Sequence, residues 1–395
     1  MTSYSFNINI KSILFLIIVY PFFKPYYFGE LGIMPFVNQI LLILSLTIIG
    51  LFYFFNMQYI NLNKGMIFIV IYYTLILISS YLNNTLNFDY FSLIIFSFGF
   101  GLLVNYCIRN KKIFLSFLSA FYVLLYIYVV ANLASMSLYP SGIPSITINS
   151  QFPNYVFGNT NSVIKVAIPG LCFSFLYDLL KYKKIRNLTW LLLILVWATL
   201  VKTWSVTSML GLFVFTFIVL NKIGKKQLTF WYFNTLIISI ALSIFLVVLK
   251  YESGILANIL QFFGKSLSFS GRDVLWFNTI DSIKASPVWG YGVQNEEIIR
   301  WFIGNRHGSH NYYLDTLFRG GFAALTFLIC SLLYFGRKII KYETNLVTRT
   351  LIATSCAYFI MWIAEPFIST EYLMFSILFV LISRIDILLK FFYDT

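Results

Sequence analysis

Apolar residues run through the chain in long blocks, and short polar stretches interrupt them at fairly regular intervals. A bilayer core takes about 20 apolar residues per helix, within a range of about 17–25. On that criterion the sequence predicts spans at 12–28, 36–55, 66–82, 89–106, 113–134, 163–180, 187–202, 205–221, 229–249, 314–335, 350–368 and 371–389. The expected fold is an all-α integral membrane protein of about twelve transmembrane helices, a single polytopic domain over 1–395. Only "VKTWSVTS" separates the seventh and eighth spans, which leaves little room for a turn. The first apolar run begins after Lys11, lacks a small-x-small cleavage site and is followed by further spans, so it reads as an uncleaved first helix.

Cations in the connections set the orientation. With the N-terminus in the cytoplasm, the inner loops carry Lys64; Arg109, Lys111 and Lys112; Lys181, Lys183, Lys184 and Arg186; Lys222, Lys225 and Lys226; and Arg337, Lys338, Lys341 and Arg349. The outer stretch 135–162, "SMSLYPSGIPSITINSQFPNYVFGNTNS", has no charged residue. Both termini are therefore expected in the cytoplasm.

One connection departs from this pattern. Residues 250–313 form a large extracytoplasmic loop with Lys265, Arg272, Lys284, Arg300 and Arg306. Long translocated segments are largely exempt from the charge rule, and loops of this size usually have a task. Within it, "RDVLWFNTIDSIKAS" predicts an amphipathic helix whose apolar face is Val274, Phe277, Ile280 and Ile283, with Ser270 as a cap. "SPVWGYG" then supplies turn signals.

Composition agrees with a membrane setting. The chain is 59% hydrophobic and 11% charged, against about 25% charged in soluble domains. A net charge of +14 would suit nucleic acid, but the cations sit in short inter-helix loops, so no nucleic-acid partner is expected. Cys107, Cys172, Cys330 and Cys356 lie in or beside apolar runs and form neither a disulfide framework nor a C-x-x-C site. There is no P-loop, G-x-G-x-x-G, D-x-D or H-E-x-x-H. Neither a cofactor nor a metal is expected, which leaves acid/base and electrostatic chemistry.

The candidates for that chemistry crowd into the large loop and the helix after it. "HGSHNYYLDTLFRGG" holds both histidines of the chain, His307 and His310, followed by Asp315 and Arg319. A helix starting near Ser309 would aim backbone N–H groups outward, toward an anion. His310, Leu314, Leu317 and Gly321 would share one helical face. Bland readings stand beside these. Ser309–His310–Asn311 reads equally as a helix cap, with Asp315 meeting the positive helix end. Arg272 reads as a solvated ion pair, Lys165 as a snorkelling side chain, and Glu365, before Pro366, as the cap of a kink, although intramembrane acids are functional candidates by default.

In order along residues 158–335, the motifs resemble the O-antigen polymerase/ligase family of bacterial membrane glycosyltransferases. "FGNTNSVIKVAIPGL" resembles the family's Asn-containing helix start, and "SFSGRDVLWFNTIDSIKASPVWGYGVQN" its S-G-R…W…P-x-x-G-x-G segment. "SHNYYLDTLFRGG" resembles its H-N-x-x-L-x-x-L-x-x-x-G stretch. One position departs: in "TWSVTSMLGL" Val206 stands where the family often has Arg, and Lys202 is one turn away.

The resemblance implies a GT-C-like enzyme in the bacterial cytoplasmic membrane, with its active site facing the periplasm or cell exterior. It would move a glycan from a polyprenyl diphosphate onto a sugar hydroxyl, with inversion at the anomeric carbon and without a nucleotide. Arg272 and Arg319 would stabilise the leaving diphosphate, supported by Lys202 or Lys165. His310 would be the base for the acceptor hydroxyl. Asn161, Asn311 and Glu365 complete the expected substrate-binding set. Partners would be the lipid-linked donor and acceptor, the bilayer, and a flippase and chain-length regulator working alongside. A polymerase of repeat units for O-antigen or capsule is the favoured reading, and a ligase using a lipid or cell-wall acceptor is the first alternative. A flippase or polysaccharide transporter is the reading from another class; against it, the polar residues crowd into one late outer loop, whereas transporters often show two related halves. A structural scaffold would leave Glu365 and the charged mouth unexplained.

Overall fold

The computed structural model describes residues 10–55, 62–86, 88–147, 153–221, 223–248, 272–305, 308–342 and 344–394. Ser270, Lys222, Lys265, Arg306, His307 and the opening of the large loop, 250–271, lie outside the described residues. The described chain is helical: α1 Ile10–Phe23, α2 Tyr26–Glu30, α3 Met34–Phe55, α4 Lys64–Leu82, α5 Phe88–Cys107, α6 Lys111–Leu138, α7 Pro144–Thr147, α8 Ser162–Tyr182 and α9 Asn187–Thr203. It continues with α10 Val206–Leu220, α11 Lys225–Val248, α12 Arg272–Ala285, α13 Glu296–Ile303, α14 Tyr312–Ile340, α15 Leu346–Met361, α16 Glu371–Phe375 and α17 Ile385–Tyr393.

Six of these helices are long and apolar enough to cross a membrane: α3, α4, α6, α8, α11 and α14. A seventh crossing is available where 368–381 and α17 act as one span, bent by 72°. The remaining expected spans meet shorter apolar helices: α1, α5, α9, α10 and α15. The 17 residues of α9 and 15 of α10 reach about 26 and 23 Å at about 1.5 Å per residue. The tight turn expected between them consists of Trp204, in the left-handed region at φ 51°, and Ser205. Two expected spans differ in outline. The eleventh ends at Met361 rather than 368, because Pro366 disfavours helix at Glu365. The twelfth is bent near 382–384.

The chain divides into two compact units. Unit 1 holds 1–63, 99–212 and 384–395; unit 2 holds 64–98 and 213–383. In unit 1, α6 packs against α1, α8 and α9. Its core is aromatic, with Phe121 and Phe173 ring centroids 4.3 Å apart and Phe23 and Phe121 4.7 Å apart. The turn into α9 is closed by buried Asp178, which accepts from Arg186 N (2.8 Å), Arg186 Nε (2.7 Å) and Thr189 Oγ1 (2.6 Å).

In unit 2, α14 packs against α4 and α11, and α12 packs against α13 and α14. Long as it is, α14 is not one straight helix: Gly321 breaks it at φ 60°, ψ −163°. The "PVWGYG" stretch is spliced into the break. Phe322 and Ala323 donate their N–H groups to Pro287 O (2.9 Å) and Val288 O (3.2 Å). Tyr291 and Gly292 donate to Phe318 O (2.7 Å) and Arg319 O (2.9 Å). A β-carbon at Gly321 would lie 2.2 Å from Val288 O, so only glycine lets the two backbones approach. Backbone groups freed by the break are thereby satisfied inside the protein, the condition for irregular structure at membrane depth.

The expected amphipathic helix forms as α12; Ile280 and Ile283 of its expected face pack inward, but the first half of that face does not. Trp276, Thr279 and Ile283 are buried, while Val274 and Phe277 are 58% and 51% exposed. Trp276 wins the inner face because its indole N–H has a partner there, the carbonyl of Ser309 (3.0 Å).

Candidate active site

The residues 308–311 form a hook ahead of α14. Asn311 is its N-cap: Oδ1 accepts from Tyr313 N (3.0 Å) and Leu314 N (3.1 Å). Such a cap typically contributes about 1 kcal/mol. Its Nδ2 also donates to Ile363 O (3.0 Å) and Ser243 Oγ (3.1 Å), binding the segment after α15 and the end of α11. Tyr312 N adds a bond to Trp362 O (2.9 Å). Ser309 donates from N (2.8 Å) and Oγ (2.7 Å) to Asp315 Oδ1. Gly308, at φ 84°, passes so close that a β-carbon would lie 2.7 Å from the same oxygen.

Between these tethers, His310 has φ 59°. A residue with a β-carbon pays roughly 1–3 kcal/mol to sit there, a strain that concentrates at functional sites. The imidazole is half-buried, and Asn305 Nδ2 lies 3.1 Å from Nε2. The expected helical face of His310, Leu314, Leu317 and Gly321 does not form, since His310 precedes the cap and Gly321 is the break.

Arg272 opens α12 one turn before Trp276, whose indole bonds the Ser309 carbonyl of the hook. Its Nη2 lies 3.2 Å from Glu365 Oε1; the arginine is partly exposed and the glutamate is 2% exposed. Glu365 lies in the irregular stretch after α15, two residues beyond Ile363, whose carbonyl receives Asn311. Unit 2 thus gathers Arg272, Glu365, His310 and Asn311.

Arg319 faces elsewhere. It is 5% exposed and forms a two-pronged pair with Glu371, which is 0% exposed; Nη2 bonds Oε1 and Nη1 lies 3.3 Å from Oε2. Tyr312 Oη (2.7 Å) and Tyr73 Oη (2.9 Å) also donate to Glu371. Glu371 was absent from the expected site, though the rule that singles out Glu365, an acid inside an apolar stretch, applies to it equally. Tyr291, in the splice, stacks on Phe318 at 5.2 Å and donates to Ser282 O (2.8 Å). Burial raises its phenol above the usual value, so it is a neutral donor.

The other expected residues belong to unit 1. Asn161 accepts from Ser205 Oγ (2.8 Å), joining the "FGNTNS" and "TWSVTS" motifs. Lys202 is exposed and donates to Ser137 Oγ (3.2 Å), and Lys165 is half-buried near the start of α8. Among the described residues, no three His, Cys, Asp or Glu side chains gather as a metal-binding group.

Residues 188–329 match the family model described as O-antigen ligase. The chain carries an O-antigen polymerase/ligase family domain. The O-antigen ligase domain runs from the start of α9 into α14 and contains Lys202, Arg272, His310, Asn311 and Arg319; Glu365 and Glu371 follow it. Together with the apolar helices, the matched domain supports a multi-pass membrane protein with an O-antigen ligase/polymerase-type domain. Comparison with curated proteins and with solved structures gives no match.

Proposed function

We propose that the protein is a GT-C-like polymerase that joins polyprenyl-diphosphate-linked oligosaccharide units at the outer face of the cytoplasmic membrane. The observation that supports this most is the convergence of Arg272, Glu365 and the His310 hook, brought from three separate stretches of sequence. A half-buried guanidinium suits a diphosphate whose charge grows as the sugar departs. Glu365 is its counter-charge until that anion takes its place.

In the reaction the acceptor oxygen attacks the anomeric carbon of the donor sugar. The bond from that carbon to the diphosphate oxygen breaks, and its electron pair leaves with the diphosphate beside Arg272. The hydroxyl proton goes to His310, a contribution of about 10²–10⁴-fold for a well-placed base. Asn311 fixes the approach of the hook and Arg319 supports the helix behind it. Asn161, Lys165 and Lys202 keep their proposed role in substrate binding.

Glycan length on the cell surface tests the proposal, in a deletion strain complemented with wild type, His310→Ala or Arg272→Ala at matched membrane abundance. The deletion should show single repeat units, wild type should restore long chains, and each variant should stay short. Long chains that remain on the carrier lipid in the deletion would favour a ligase. Repeat units trapped on the inner leaflet would favour a flippase. Normal chains from both variants would remove Arg272 and His310 from the chemistry.

A further inference from the structure

Asp315 lies in the first turns of α14 but does not do what an acid there usually does. The free N–H groups of that helix start are capped by Asn311. The Asp315 carboxylate turns back instead and takes two bonds from Ser309 on the single oxygen Oδ1. It is 2% exposed, so it reaches neither solvent nor a bound sugar. It is therefore placed to act through another group.

That group is His310. The left-handed backbone at His310 is held from both sides: Ser309 by Asp315 and by the Trp276 indole, Asn311 by Ile363 and Ser243. Gly308 leaves no space between the hook and the carboxylate. Without Asp315 the N-terminal side of the hook keeps the Trp276 bond and the local contacts of the Ser309 hydroxyl with the Asn311 backbone, but loses both bonds that tie it to α14, and His310 can relax toward ordinary backbone.

We infer that Asp315 is a positioning residue for His310, fixing through Ser309 the strained backbone on which the imidazole is presented. The inference rests on the proposed role of His310 as base. Its chemical requirement is an oxygen that accepts two hydrogen bonds, not a negative charge, so asparagine should substitute and alanine should not.

Glycan transfer from lipid-linked repeat units by the purified protein in proteoliposomes tests this, with variants made in wild-type and His310→Ala backgrounds. Misplacement of a reacting group by about 1 Å costs about 10²-fold, so Asp315→Ala should lower kcat by about that factor with donor KM little changed. Asp315→Asn should stay within about threefold of wild type, since an amide oxygen keeps both bonds. In the His310→Ala background, Asp315→Ala should cost less than about threefold more, the non-additivity of residues acting as a unit. Ser309→Ala removes the hydroxyl's bond to Asp315 and its contacts with the Asn311 backbone but keeps the Ser309 N–H bond to Asp315, and should give a loss that also vanishes without His310; it serves where Asp315→Ala does not fold. Additive losses, or Asp315→Asn as poor as Asp315→Ala, would overturn the inference while leaving the base assignment intact. Full activity of His310→Ala would instead sink the base assignment and the inference with it.

Discussion

Glu371 spends both carboxylate oxygens on four donors: two from Arg319, one from Tyr312 and one from Tyr73. Tyr73 continues the network to Ser97 (2.7 Å). Fully satisfied buried networks of this kind specify geometry more than they add stability, because desolvation offsets much of the attraction. Removing one partner leaves an uncompensated buried charge, at a cost of about 3–5 kcal/mol. Glu371→Met or Arg319→Met alone should therefore lower the thermal midpoint in detergent sharply, while the double variant Arg319→Met/Glu371→Met should recover most of the loss. A double variant no more stable than the singles would mean the charges themselves are required. Sequence reasoning reached Arg319 but not its partner, since 52 residues of chain separate them. Asp315 was visible as an acid near a helix start; that its carboxylate turns back to Ser309 depends on the left-handed turn at His310, which no pattern of residue types announces.

At the scale of elements, every expected span has a helical counterpart, because a run of apolar residues leaves the backbone little choice but to satisfy itself internally. The interruptions were harder to see. A window average over α14 does not register one glycine whose carbonyl and amide neighbours are claimed by residues 287–292. The face of α12 is half legible for a related reason: apolar spacing finds Ile280 and Ile283, but it also favours Val274 and Phe277, where the indole hydrogen bond to Ser309 decides for Trp276. Gly321→Ala would force a β-carbon against Val288 O at 2.2 Å and place a side chain at φ 60°. The splice should open, with faster hydrogen exchange at Phe322 and Ala323 and reduced membrane abundance. Unchanged exchange there would mean that the break is not held by this contact.

For the whole molecule, each compact unit is assembled from separated stretches of sequence, so neither unit is a simple half of the chain. The proposed topology places Ser141 outside and Lys184 inside, both on exposed ground. In a background carrying Cys330→Ala, a membrane-impermeant maleimide should label Ser141→Cys in intact cells, and Lys184→Cys only after permeabilisation. Equal labelling of both would reject the alternation of loops from which the outward-facing site is argued.

The splice at Gly321 also carries a consequence for biosynthesis. The chain is made from its N-terminus, so "PVWGYG" leaves the ribosome about thirty residues before the positions it joins. Until Ala323 has followed, Pro287 and Val288 have no amides to receive and Tyr291 and Gly292 no carbonyls to meet. The seam that shapes the second unit is therefore closed late, after both flanks of α14 have been delivered.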